Sequence, residues 1–145
     1  MQNQAYPQAI DTWVQNHGIA VVVNRVDSLE VHNLTLFSRF AGMLLTDSPD
    51  TAQNPQCGYG TGSDLNLDTV QYGIIATSAF PGIGYKFTNV QMAAAPGIGE
   101  AAVQLRAGGA SAPDVLINGG SQRGSWALGA FPSPQAGHLY IANVQ

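Results

Sequence analysis

Apolar and polar residues alternate along most of this chain with a period of two, and the alternation slips phase at a recurring place. The stretch SLEVHNLTL at 28–36 reads polar, apolar, polar, apolar, two polar residues, then apolar, polar, apolar. DLNLDTVQY at 64–72, GYKFTNVQM at 84–92 and HLYIANVQ at 138–145 repeat it, and DVLINGGSQ at 114–122 does so in weaker form. Period two marks half-buried strands. The doubled polar pair marks a bend that lets the chain turn a corner while keeping its apolar side inward. The second residue of that pair is Asn33, Thr69, Asn89, Gly119 and Asn143. Asn and Gly tolerate the left-handed backbone such a bend requires, whereas the β-branched Thr69 fits it poorly.

A short apolar run precedes each unit: GIAVVVN at 18–24, GMLLTD at 42–47, GIIATS at 73–78, AAVQLR at 101–106 and SWALG at 125–129. Three strands per repeat follow. Leu29, Leu65, Tyr85, Val115 and Leu139 are expected to stack in one inner row, separated by 36, 20, 30 and 24 residues. A constant unit with variable excursions is the pattern of stacked coils joined by unequal loops. The expected fold is therefore all-β, a right-handed parallel β-helix of about five coils over residues 18–145. Residues 1–17 form a lead-in in which Ile10, Trp13 and Val14 recur at helical spacing, so a short helix capping the first coil is expected. The sequence stops inside a repeat at Gln145, which points to further coils of a parent chain or to a partner over that end. A sandwich or up-and-down barrel also uses short strands, but recurrence of one unit with its bend residue tells against it.

A glycine-led strand, a variable loop and then a unit of the form xLxLxNVxx resemble a coil of the pectate-lyase-like superfamily, as also found in phage tailspikes and secreted pectate-lyase-like proteins. The resemblance spans residues 18–145. It implies three parallel sheets around a common core, an Asn stack at the bend, and polysaccharide as the ligand, at an extracellular or virion surface. In polysaccharide lyases of that family the cleft runs along the first sheet. The hydrolase motifs of the family (NTD, DD, GHG, RIK) are missing, so the resemblance implies a fold more than a reaction.

Composition narrows the partners. With a formal charge of -4 and only 10% charged residues, the chain has no basic cluster for a phosphate backbone, so no nucleic acid is expected. No run approaches the roughly 18 apolar residues needed to span a bilayer, so no membrane association is expected either. The single Cys57 rules out an internal disulfide, and the 17 glycines and 8 prolines suit a turn-rich β-protein.

The candidate chemistry lies on the outward residues. If 28–36 and 64–72 stack in register, Glu30 and Asp68 lie on the order of 8 Å apart, within the roughly 6.5 to 9.5 Å spacing of an inverting glycosidase pair. Arg106 is the candidate base for a lyase reaction. Asp47, Tyr59, Asp64, Lys86 and Tyr140 are candidate substrate-binding residues, with Tyr59 and Tyr140 able to stack on a sugar ring. The same side chains also suit a merely solvated polar face. The long excursion TDSPDTAQNPQCGYGTGS at 46–63 carries Asp47 and Asp50, which make calcium a possible ligand, although no other cofactor is evident and no metal-ligand spacing occurs. The glycine-rich GYGTGS at 58–63 lacks the Lys-Ser/Thr and following helix of a phosphate loop. The two Pro-Gly-Ile-Gly segments, at 81 and 96, read as turns. On the first sheet, Val22, Leu44 and Ile75 are expected to form an outward apolar stripe, a possible contact surface for a homotrimer. The primary expectation is an extracellular module that binds or helps process polysaccharide with an incomplete catalytic set. The alternatives are a structural shaft module and a complete lyase or hydrolase.

Overall fold

The computed structural model describes residues 5–37, 40–49, 58–69, 71–94, 101–106, 109, 111–123, 127–130 and 137–145. One helix, α1 (Ala5–His17), precedes eleven strands: β1 (Ile19–Val23), β2 (Leu29–His32), β3 (Thr35–Phe37), β4 (Ala41–Leu45), β5 (Gly60–Thr69), β6 (Tyr72–Ala76), β7 (Tyr85–Ala94), β8 (Ala101–Leu105), β9 (Asp114–Arg123), β10 (Ala127–Ala130) and β11 (His138–Ala142). Among the described residues the structure is all-β apart from this helix, and every strand pairing is parallel.

The strands divide into two sheets between which the chain alternates. Sheet A has the order β1-β4-β6-β8-β10, and sheet B has the order β2-β5-β7-β9-β11 with β3 also on β5. Each of five levels thus supplies one strand to sheet A and one longer, bent stretch to sheet B. At the first level the bend interrupts the strand and yields β2 and β3; at β5, β7 and β9 the strand runs through it. Three separate strands occur only at the first level; at the other four the expected three strands reduce to two, one in each sheet, because the two limbs around the bend share sheet B.

Positive φ identifies the bend residues directly: Asn33 (55°), Asp64 (57°), Asn89 (51°), Gly119 (76°) and Asn143 (56°). Four of these are the expected ones. At the second level the bend residue is Asp64, and the expected Thr69 ends β5 instead. Left-handed backbone is open to Asp and strained for a β-branched side chain. The second unit consequently begins at Gly60, paired with Leu29, five residues before the start that the alternation suggested. Leu65 leaves the Leu29 row and lies between Leu34 and Val90. The remaining members, Leu29, Tyr85, Val115 and Leu139, do share a row, completed by Gly60.

The glycines have a packing reason. Neighbouring parallel strands lie about 4.8 Å apart, which leaves little space between inner side chains of successive levels. Tyr85 and Phe87 are 1% and 0% exposed, with their rings parallel and 6.2 Å apart. They neighbour Gly60 and Gly62 on the adjacent strand. A Cβ on Gly62 would lie 2.8 Å from both Phe87 Cδ1 and Val31 Cγ1. The glycines make room for the rings.

Sheet A breaks strict alternation. Val103 and its neighbour Ala102 both belong to the main core, and a Cβ on Gly73, next to the buried Ile74, would meet Met92 Sδ at 2.8 Å. Ala41, Tyr72, Ile75 and Ala101 form a separate cluster with Ile19, Phe40 and Leu44. Two consecutive inward positions in β6 and β8 leave Tyr72 and Ile75 of β6 on the outer side.

The helix forms as expected, but Trp13 and Ile10 are 60% and 47% exposed, so they do not cover the first level. The carbonyl of Val14 accepts from the amides of Gly18 and Phe40, at 2.7 and 3.3 Å, and joins α1 to the start of sheet A.

Introducing Gly62→Ala is expected to lower unfolding free energy by about 1–3 kcal/mol through overpacking. Combining it with Phe87→Leu should recover part of that loss. Urea titration of the double-mutant cycle checks this, and additive losses would show that the two positions do not share space.

Candidate functional site

The outer side of sheet B carries the richest set of side chains. Its registered row runs Glu30, Thr61, Lys86, Leu116, Tyr140, one residue per level. Four steps of about 4.8 Å make this row on the order of 19 Å long. Two adjoining depressions lie along it and share Lys86 and Ile83. One, of about 200 Å³, is lined by Glu30, Tyr59, Thr61 and Lys86; the other, of about 340 Å³, by Lys86, Asp114, Leu116 and Tyr140.

The wall between them comes from the turn that precedes β7. Pro81 and its neighbours form the expected turn: the amides of Ile83 and Gly84 both donate to the Phe80 carbonyl, at 3.3 and 3.1 Å. Gly82 and Gly84 take positive φ, at 76° and 62°. Gly84 is also a close approach, because a Cβ there would sit 2.3 Å from the Asp114 carbonyl oxygen. The turn leaves Phe80 and Ile83 at 38% and 46% exposure. Tyr59 meets Phe80 edge to face with centroids 6.0 Å apart. Apolar walls thus flank a floor bearing the ammonium of Lys86, which has no ion-pair or hydrogen-bond partner among the described residues.

At the far end, His138 Nδ1 lies 2.8 Å from Asp114 Oδ1 and its ring stacks at 6.2 Å on Tyr140. The pair fixes the orientation of the aromatic ring, which remains 56% exposed. Of the candidate residues, the structure brings Glu30, Tyr59, Lys86 and Tyr140 together along this groove. Sequence reasoning did not single out Ile83, Phe80 and the Asp114–His138 pair. The Pro-Gly-Ile-Gly motif was visible, but not the direction in which its turn would project Ile83.

The other candidates lie elsewhere. Thr61, not Asp68, is the strand neighbour of Glu30. Asp68 pairs with Phe37, seven residues further along β5 and beyond the Asp64 bend. The expected separation of about 8 Å is therefore overturned, and the pair does not form an acid and base across one bond. Arg106 follows β8 in sheet A, where its guanidinium sits 5.2 Å from the Tyr72 ring centroid and its Nε donates to Gln104. Asp47 follows β4, half-buried, with its carbonyl accepting from Asn24 Nδ2 at 2.9 Å. Asp50, Cys57 and the second Pro-Gly-Ile-Gly segment lie outside the described residues, and Gly60 to Ser63 of the expected long loop are strand. No group of three or more His, Cys, Asp or Glu side chains suited to a metal ion occurs among the described residues. No described helix is long and apolar enough to cross a membrane.

Asp64 stands in the bend row. Asn89 Nδ2 donates to its Oδ1 at 2.7 Å, and Ser63 Oγ donates to its Oδ2 at 2.9 Å. His32 Nδ1 lies 2.9 Å from the same Ser63 hydroxyl. A histidine, a serine and an aspartate in contact invite comparison with a nucleophilic triad, but the order is wrong. The hydroxyl proton points to the carboxylate rather than to the imidazole, so Ser63 is not paired with histidine as a triad nucleophile would be. The arrangement ties the bend together. The expected outward stripe also changes character: Val22, Leu44, Ile75 and Gln104 are in register, yet only Val22 is exposed, at 51%, whereas Ile75 is 1% exposed.

No family model, no curated protein and no solved structure matches the chain.

The hydrogen bonds from Asn89 and then Ser63, with a smaller contribution from His32, hold the Asp64 carboxyl below its ordinary value of 3.8 despite some desolvation. A depressed folded value stabilises the bend above 3.8, and that contribution disappears as the pH falls through the folded value. Asn89→Ala should move the Asp64 titration back toward the ordinary value in a carbon-detected NMR pH series. An unchanged midpoint would mean that Asn89 does not set it.

Proposed function

We propose that this chain is a right-handed parallel β-helix module that binds polysaccharide along the outer side of sheet B. The alternation between two all-parallel sheets, with each strand laid beside its predecessor in the same sheet, supports the β-helix reading. Right-handedness follows from the roughly 98% preference of parallel crossover connections. The observation that carries the ligand reading is the single row of Glu30, Thr61, Lys86, Leu116 and Tyr140 with its flanking depressions.

An extended, repetitive ligand matches a shallow groove that crosses all five levels. Tyr140 and Ile83 present apolar faces for the C–H side of sugar rings, in the way aromatic side chains supply flat contact area with a polar tip. Glu30, Thr61, Asp114 and Lys86 offer acceptors and donors for hydroxyls at intervals along the row. Binding rather than cleavage fits the dispersal of Glu30, Asp68 and Arg106 over two sheets. Such a module belongs on the outside of a cell or on a virion surface, where polysaccharide is met.

Isothermal titration against uronate-rich and neutral polysaccharides, with and without calcium, tests the proposal. Tyr140→Ala is expected to weaken binding at least about tenfold, equivalent to about 1.4 kcal/mol. Gln91→Ala, an exposed change on the other limb of β7, should leave it unchanged. Absence of binding to every glycan by the folded wild type would end the proposal.

A further inference from the structure

The two edges of sheet B are complementary to each other. Inner side chains at interior levels are sealed: Tyr85, Phe87, Val90, Val115 and Ile117 are at most 1% exposed. Their equivalents on the β2–β3 edge, Leu29, Val31, Leu34 and Leu36, are only half-buried, as are Leu139, Ile141 and Val144 at the β11 edge. Among the described residues both edges also present strand backbone with one side unpaired, a template for another parallel strand. Near the first edge an open depression of about 550 Å³ lies between Ile19 and Leu36, so α1 does not close it.

The bend row gives this complementarity a polarity. Within the chain, the bend amide of a later level donates back to the level before it: Asn89 Nδ2 to Oδ1 of the bend residue Asp64 at 2.7 Å, and Asn143 Nδ2 to Oδ1 of Asn118, beside the side-chainless bend at Gly119, at 2.8 Å. At the last level Asn143 thereby uses its donor and leaves Oδ1 as an acceptor. At the first level the side chain of Asn33 makes no hydrogen bond among the described residues, so its donor is free. Asn33 and Asn143 hold nearly the same backbone angle, with φ of 55° and 56°. A second copy seated on β11 through its own β2 and β3 would place Asn33 Nδ2 against Asn143 Oδ1, and Leu29, Val31 and Leu34 against Leu139, Ile141 and Val144.

We propose that copies of this chain associate head to tail, the β11 edge of one receiving the β2–β3 edge of the next, with Asn33 of one bonded to Asn143 of the other across the junction as Asn89 is bonded to Asp64 within the chain. The contact uses two different surfaces, so it does not close on itself and extends with concentration. It does not depend on whether the groove takes sugar, although end-to-end copies would join their grooves into one.

Sedimentation velocity over about a hundredfold range of concentration tests it, with growth beyond the dimer expected for the wild type. Val31→Lys blocks one edge and Ile141→Lys the other, so each variant alone should remain monomeric. Mixed, they should form a dimer that grows no further, because each retains one intact and complementary edge. Asn33→Asp keeps a residue type that already occupies this bend at Asp64 but sets a carboxylate against the Asn143 acceptor. It should weaken association at least about tenfold with an unchanged circular dichroism spectrum, which covers the case in which a lysine variant fails to fold. A wild type that stays monomeric throughout, a dimer that does not grow, or an Asn33→Asp variant that associates like the wild type would overturn the proposal.

Discussion

Parallel strands laid side by side are locked about 4.8 Å apart by their backbone hydrogen bonds, and everything inside must accommodate that spacing. A side chain in an inner row has neighbours above and below at a fixed distance, so bulk at one level must be answered by a small residue next to it. In this protein the answer is explicit. Tyr85 and Phe87 fill the centre with two parallel rings, and Gly60 and Gly62 on the adjoining strand yield the space. Polar groups at the bends obey the same spacing: Asn89 reaches the bend residue Asp64, and Asn143 reaches Asn118, the residue just before the Gly119 bend, each across one level.

That constraint explains what was legible in the sequence and what was not. Four bend positions were readable because Asn or Gly interrupts the alternation, after a polar residue at Asn33, Asn89 and Gly119 and after Ala142 at Asn143. The parallel, all-β character was readable from the recurrence of the unit. The second level escaped because Gly60 and Gly62 occupy inner positions without being apolar, while Leu65 and Leu67 just beyond the bend imitate the start of a unit. An inward glycine has no hydrophobic signature, and its reason for being there lies on another strand. A shift of five residues followed, and with it the supposed proximity of Glu30 to Asp68. The paired inward residues of sheet A were hidden similarly, since Gly73 and Ala102 are inward by virtue of size rather than hydrophobicity.

The groove was partly legible. Lys86 and Tyr140 were recognisable as outward from the alternation of their own strands, and that inference survives any error elsewhere because each strand carries its own phase. Tyr59 joins them for a different reason: it precedes Gly60 in the corrected register, with its carbonyl accepting from Leu29. The apolar wall was not readable, because the projection of Ile83 depends on two positive φ angles and on the close approach of Gly84 to Asp114.

The two outer faces differ in how far their side chains are already engaged with one another. The cleft expected from the sequence lies along the first sheet, yet the outer row of sheet A is largely closed by its own residues. Ile75 and Gln104 are 1% and 9% exposed, and Arg106 is drawn onto Tyr72 and Gln104. A cation already stacked on a ring and bonded to an amide must give up both before it can meet a ligand. Sheet B has the opposite disposition: Lys86 is exposed and unpartnered among the described residues, and Tyr140 is held at one edge by His138 while its outer face stays open. A ligand gains most where the receptor loses least on meeting it. By that criterion the side chains across the bend-bearing strands would lose less on meeting a ligand than those of sheet A, which are already engaged with one another.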